Sequence, residues 1–283
     1  MRRWLLALAL LVLSSTSGAR ADVTDHFALL MVWMPGLCKV EPDRPECKDF
    51  TLRRYDGLNL AFMALQSARP SNGSNTFCYT MINDESYDRQ RKWCEMYQPR
   101  IADTLMLQLK TLMPVMQSCQ DRGLWARFAS CTMYSADDYY SRAIKLSKSV
   151  AATQLNSKIA AAVGTTAKQS DLLEAFKADF GDEKLNAVDF VCRKIGKDYH
   201  LLQVRIALTT RALTRNLEKE SLWKPGKPIR RHCPENIVID APPVPIAAGA
   251  TPPPKPAEPG VPEAVPVEPV ETEPLEPTGP VVR

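Results

Sequence analysis

The chain has 283 residues, among them 23 prolines and eight cysteines, and its 36 basic and 32 acidic residues give a formal net charge of +4. So small an excess is far from the dense basic patch of a dedicated nucleic-acid binder, and charge alone does not choose a partner. The cysteines include no Cys-x-x-Cys pair, and only His232 adjoins one, at Cys233, so the spacing gives a zinc site no support and no cofactor is expected.

Arg2 and Arg3 lead into the apolar stretch Trp4 to Leu13, and small residues end at Ala19-Arg20-Ala21, the order of a secretory signal. Residues 1–21 are read as that signal, with a mature chain that starts at Asp22. The apolar stretch is shorter than the roughly 20 residues that span a bilayer, and no later one is long enough, so stable membrane insertion is not expected.

Phe27 to Met34 is a continuous apolar run closed by Pro35-Gly36, the pattern of a buried central strand followed by a turn. Leu58 to Leu65 is a second such run. The polar stretch from Asn72 to Gln98 contains Cys78 and Cys94 and reads as a long loop tied down by disulfides. Ile101 to Gln117 carries a helical apolar stripe, with Pro114 kinking its last turn. Two more helices are expected over Asp137 to Leu155 and Asp171 to Phe180, the second opening with Asp171 and Glu174 in capping-box spacing.

Ala187 to Arg193 and Leu201 to Thr209 have strand patterns, and Ile237 to Ile239 is a short run suited to an edge strand. Helices in the middle and strands at both ends point to an α+β domain with a mainly antiparallel sheet and packed helices. This domain is expected over residues 22–240, about 220 residues and enough for one sizeable core. From Ala241 onward lie fourteen of the prolines, no aromatic residue and six glutamates, so residues 241–283 are expected to form an extended, disordered tail.

An even set of eight cysteines in a chain with an export signal favours four disulfides and a periplasmic or secreted protein, but spacing alone leaves 105 ways to pair them. The segment Leu30-Met31-Val32-Trp33-Met34-Pro35-Gly36-Leu37-Cys38, with Cys47 after it, resembles the opening strand of the ribonuclease T2 family. Gly123-Leu124-Trp125-Ala126-Arg127-Phe128-Ala129-Ser130-Cys131 is similar to that family's second active-site segment, Glu-Trp-x-Lys-His-Gly-x-Cys, with Trp125 and Cys131 matching directly. Ser170 to Phe176, Val188 to Cys192, Leu201 to Ile206 and His232-Cys233 follow in the family's order, so the resemblance covers residues 25–240. It implies a ribonuclease T2-like fold and the disulfides Cys38–Cys47, Cys78–Cys131, Cys94–Cys119 and Cys192–Cys233.

By the same resemblance the family cuts RNA by transfer to the ribose 2′-oxygen, with one histidine as base, another as acid, and Glu and Lys beside the phosphorus. Imidazole suits both proton transfers because its pKa lies near neutrality. Here Asp56-Gly57-Leu58-Asn59-Leu60 stands where the family has His-Gly-Leu-Trp-Pro. In the second segment Leu124 replaces the Glu, Phe128 the His and Arg127 the Lys. None of His26, His200 and His232 matches a catalytic position.

The reading that follows is an exported, catalytically inactive family member, a pseudoenzyme with a binding or interaction role. The alternative is an active endoribonuclease that uses unconventional groups, Asp56 and Arg127, although an exposed Asp near its ordinary pKa of about 3.9 is a weak base at neutral pH. Single-stranded RNA and an unknown extracytoplasmic protein are the candidate partners. Arg127 is the candidate phosphate contact, and Trp33 with the loop aromatics Phe77, Tyr79, Tyr87, Trp93 and Tyr97 are the candidates for base stacking.

Overall fold

The apolar run that opens the domain divides at Trp33. In the computed structural model, which describes residues 26–68, 76–225 and 231–243, strand β1 spans His26–Val32 and helix α1 spans Met34–Val40. Pro35-Gly36 therefore starts a helix instead of making the expected turn. Proline is accommodated there because the first amide hydrogens of a helix have no partner within it. Gly36 is required by close packing, since a Cβ would lie 1.9 Å from the carbonyl oxygen of Leu201.

The second run begins three residues later than expected, as β2, Ala61–Ala68. It pairs antiparallel with β1, Leu29 facing Leu65. On its other side β1 pairs antiparallel with β5, Asp198–Thr209, where Leu29 faces Ile206. Strand β4, Val188–Ile195, forms a hairpin with β5. The short run near the C-terminus forms β6, Asn236–Ile239, but not as an edge. It lies between β5, to which it is parallel, and β3, Thr165–Lys168, which completes the order β2-β1-β5-β6-β3.

Helices differ from expectation where caps and prolines act. The stripe from Ile101 forms α3 only over Asp103–Leu112, and Pro114, lacking an amide hydrogen, opens a separate 3₁₀ turn instead of kinking the helix. The expected helix to Leu155 is two helices. α5, Ala136–Ala151, is capped by Ser135, and α6, Gln154–Ala161, by Thr153, whose hydroxyl accepts from the Asn156 amide at 3.1 Å. α7 spans Gln169–Phe180, so Asp171 lies inside its first turn, 3.8 Å from Lys158, and no capping box forms. Residues 76–98 are more ordered than a loop, with α2 at Asp84–Arg89 and a 3₁₀ turn at Trp93–Glu95.

Phe27, Leu29 and Met31 from β1 meet Phe190, Val204, Ile206 and Leu208 in a core that Leu146, Val150, Leu172 and Phe176 close from the helices. Each such side chain contributes about 1.5–3 kcal/mol by leaving water. Four disulfides join Cys38–Cys47, Cys78–Cys131, Cys94–Cys119 and Cys192–Cys233, the pairs that the family resemblance implies. Among the described residues no helix is long and apolar enough to cross a membrane. The segments read as signal and, from residue 244, as tail lie outside the described residues.

Candidate functional site

The positions that the resemblance singles out lie on two separate supports. Asp56 belongs to a 3₁₀ turn, Tyr55–Gly57, that packs against α1 and α3. Its exposure is 2%, not that of the exposed carboxylate expected from sequence. Arg54 grips it with two bonds, Nε to Oδ1 at 3.1 Å and Nη2 to Oδ2 at 2.7 Å, and places its guanidinium 4.4 Å from the centre of the Phe50 ring. Burial raises the Asp56 pKa above the usual carboxylate value, against the lowering effect of Arg54. Asn59 also serves the fold, because its side chain donates to Tyr55 O at 2.9 Å and accepts from Asn156 at 3.0 Å.

The second segment forms helix α4, Gln120–Arg127, whose closing residue is Phe128. Leu124 is buried, and Phe128 is half-buried and packs against the core. The short turn Ala129–Cys131 that follows lies against β2. Arg127 does not pair with Asp56. Its Nη2 donates to Oδ2 of Asp88, while Oδ1 of Asp88 accepts from the Trp93 indole at 2.8 Å. The Arg127 guanidinium also stands 5.8 Å from the ring centres of Phe77 and Phe128, a cation–π distance.

Sequence reasoning missed Asp88, although Gly123 in the middle of a helix is a signal for a close neighbour. A Cβ at Gly123 would lie 2.5 Å from Asp88 Oδ1 and 2.6 Å from Trp93. Trp33, a sequence candidate for stacking on a ligand, is fully buried and donates from Nε1 to Asp240 O at 3.2 Å. Its apolar ring fills the core where the strand passes into α1, so it offers no face to a partner.

All three histidines are engaged away from α4. His26 stacks on Trp223 at 4.0 Å between ring centres. His200 Nδ1 lies 2.9 Å from Asp240 Oδ2, and His232 Nδ1 2.6 Å from Asp189 Oδ2. Among the described residues no group of three His, Cys, Asp or Glu side chains is placed to hold a metal ion.

Beside α4 an open cleft of about 260 Å³ is lined by Tyr79, Met81, Asp84, Tyr97, Trp125 and Ala126. Tyr79 and Tyr97 are 67% and 55% exposed, and Met81 and Ile82 also face solvent. Of the sequence's stacking candidates these two tyrosines are the ones with open faces. Trp125, at the cleft's inner side, packs on Tyr139 and Tyr140 at 5.6 and 5.8 Å between ring centres.

A model of the ribonuclease T2 family matches residues 24–219. Among solved structures, a variant of RNase MC1 in complex with 5′-GMP is 18% identical, with a TM-score of 0.51 over 76% of this chain and 99% of that one. Ribonuclease MC1 from bitter gourd seeds is 17% identical, with a TM-score of 0.49 over 76% of this chain and 99% of its own. Japanese pear S3-RNase is 16% identical, with a TM-score of 0.48 over 75% and 98%. At such identities the likeness is one of fold. No protein of curated function matches the chain.

Proposed function

This chain belongs to the ribonuclease T2 family, and we propose that it is an exported member whose cleavage site is silent and whose scaffold binds single-stranded RNA. One observation carries the first half: Phe128, not an imidazole, closes α4, and the three histidines are bound to other partners. Acid and base catalysis each contribute about 10²- to 10⁴-fold, so the loss of both leaves negligible turnover. The separate ion pairs of Asp56 and Arg127 weigh against an active endoribonuclease built on those two residues.

Export is supported by the apolar leader and by four disulfides, which persist in oxidising compartments such as the periplasm or the cell exterior. The domain occupies residues 22–240, and the proline-rich segment 241–283 is a spacer. RNA as the partner is favoured by Arg127, a cation whose side chain is 40% exposed, and by the open faces of Tyr79 and Tyr97 in the cleft that Trp125 and Ala126 of the same helix line. Phosphate contact and base stacking need such groups and no histidine. The complex of an RNase MC1 variant with 5′-GMP is in keeping with this partner.

The test is fluorescence anisotropy of a labelled single-stranded RNA across a salt series. Binding that weakens steeply with salt and is reduced by Arg127→Ala is the expected result. Absence of binding at low salt would turn the reading toward an extracytoplasmic protein partner.

A further inference from the structure

We propose that the open cleft between α1 and β6 binds a short zwitterion of dipeptide size with apolar side chains, held by Asp240 and Lys39. The inference stands apart from the RNA reading, because no residue of α4 or of region 76–98 borders this cleft. Its volume is about 580 Å³, and Pro35, Val238, Ile239 and Pro243 give it apolar walls. Among the described residues that line it, Asp240 and Lys39 are the charged ones. Volumes of roughly 300–1,000 Å³, mostly apolar walls and a few placed polar groups are the features of small-molecule sites.

Both charges are short of partners. The Asp240 side chain is 10% exposed, and its two oxygens share one side-chain donor, Nδ1 of His200, at 3.0 and 2.9 Å. A carboxylate accepts up to about four hydrogen bonds, so one that is nine-tenths buried and has a single donor has room for a ligand's ammonium group. Lys39 is exposed, and among the described residues its ammonium group has no carboxylate at ion-pair distance. A ligand that satisfies both carries a cation and an anion, and the walls suit apolar side chains between them. A phosphate ion, an apolar acid or a polyamine meets only one of the two charges. The cleft is also braced from both sides. Cys38–Cys47 fixes the end of α1, and Gly36 packs the same helix against Leu201 O. Asp240 O accepts from the Trp33 indole at 3.2 Å, and Ile239 O accepts from the Gly164 amide at 2.7 Å. Little ordering of the walls therefore opposes binding.

Calorimetric titration of the full-length oxidised protein with L-leucyl-L-leucine, its N-acetyl derivative and its C-terminal amide tests this. The dipeptide should bind, and each derivative should bind about 10- to 100-fold more weakly, since each lacks one of the two charges. Lys39→Ala should weaken the dipeptide by a similar factor without weakening the amide, which has no carboxylate to lose a partner. Lys39→Glu should lower the affinity for the dipeptide further. Asp240→Asn should weaken the dipeptide without weakening the N-acetyl derivative, with the circular dichroism of the parent as the check on its fold. Because Asp240 also holds His200, a misfolded Asp240→Asn leaves the decision to the two Lys39 variants, whose position is exposed. No binding of the dipeptide at about 10 mM, equal affinity for all three compounds, or affinities untouched by both Lys39 variants overturns the site.

Discussion

Arg127 donates to a carboxylate of Asp88 that is 5% exposed and also holds the indole of Trp93. Helix α4, whose sequence resembles the family's second active-site segment, is thereby tied to the disulfide-rich region 76–98. A buried carboxylate that loses one of two donors is costly, and the partial exposure of Arg127 moderates the loss.

Arg127→Ala should therefore lower stability by about 1–3 kcal/mol, below the roughly 3–5 kcal/mol of a fully buried pair. Urea unfolding reads this directly. In the same variant the salt dependence of RNA binding should lose about one unit of slope. A variant of unchanged stability would mean that the ion pair contributes nothing to the fold.

Asp121, in the first turn of α4, is buried, and burial pushes its pKa up to about 6, with Arg122 opposing. A folded-state value above the unfolded value of about 3.9 means that the folded chain binds the proton more tightly. The resulting stability is fully present below about pH 4 and is lost as pH rises through 6. Burial raises Asp56 with the same sign. Asp121→Asn should flatten this window and stabilise the protein at pH 7 by up to about 3 kcal/mol, or several degrees in Tm. Parallel Tm profiles from pH 4 to 7 for variant and parent would contradict it.

Cys78–Cys131 closes 53 residues and Cys38–Cys47 only 9. Loop-closure entropy assigns them about 4 and about 3 kcal/mol. Replacing Cys78 and Cys131 by alanine should lower the urea midpoint more than replacing Cys38 and Cys47. The larger loss should be accompanied by weaker binding of single-stranded RNA, because the first bridge also anchors Tyr79.

Phe128→His returns one imidazole to the end of α4 without a second proton-transfer group. RNA cleavage by this variant should remain at the level of the parent. A gain of cleavage would show that a partner for the new histidine already exists nearby.

Much of the sheet was legible because the apolar run Phe27 to Val32 is long and largely buried, and because Leu201 to Thr209 alternates, with Val204, Ile206 and Leu208 buried. β3 was not, since Thr165 to Lys168 has three exposed residues and gains its place only by pairing with β6. The break between α5 and α6 depends on one hydroxyl, that of Thr153, which an apolar stripe does not register. At the site, the segment itself names Phe128 as the residue that closes α4. The partners were not legible: Asp88 lies 39 residues from Arg127, and Asp56 takes Arg54 through a local 3₁₀ turn that buries the carboxylate.

The central claim is that the cleavage site is silent, and incubation of the purified, oxidised protein with a fluorogenic single-stranded RNA in chelator from pH 4 to 8 tests it most directly. The predicted rate is indistinguishable from that of an Asp56→Asn, Arg127→Ala double variant throughout. Metal-independent cleavage above that control would contradict the account and make the chain a ribonuclease with unconventional groups.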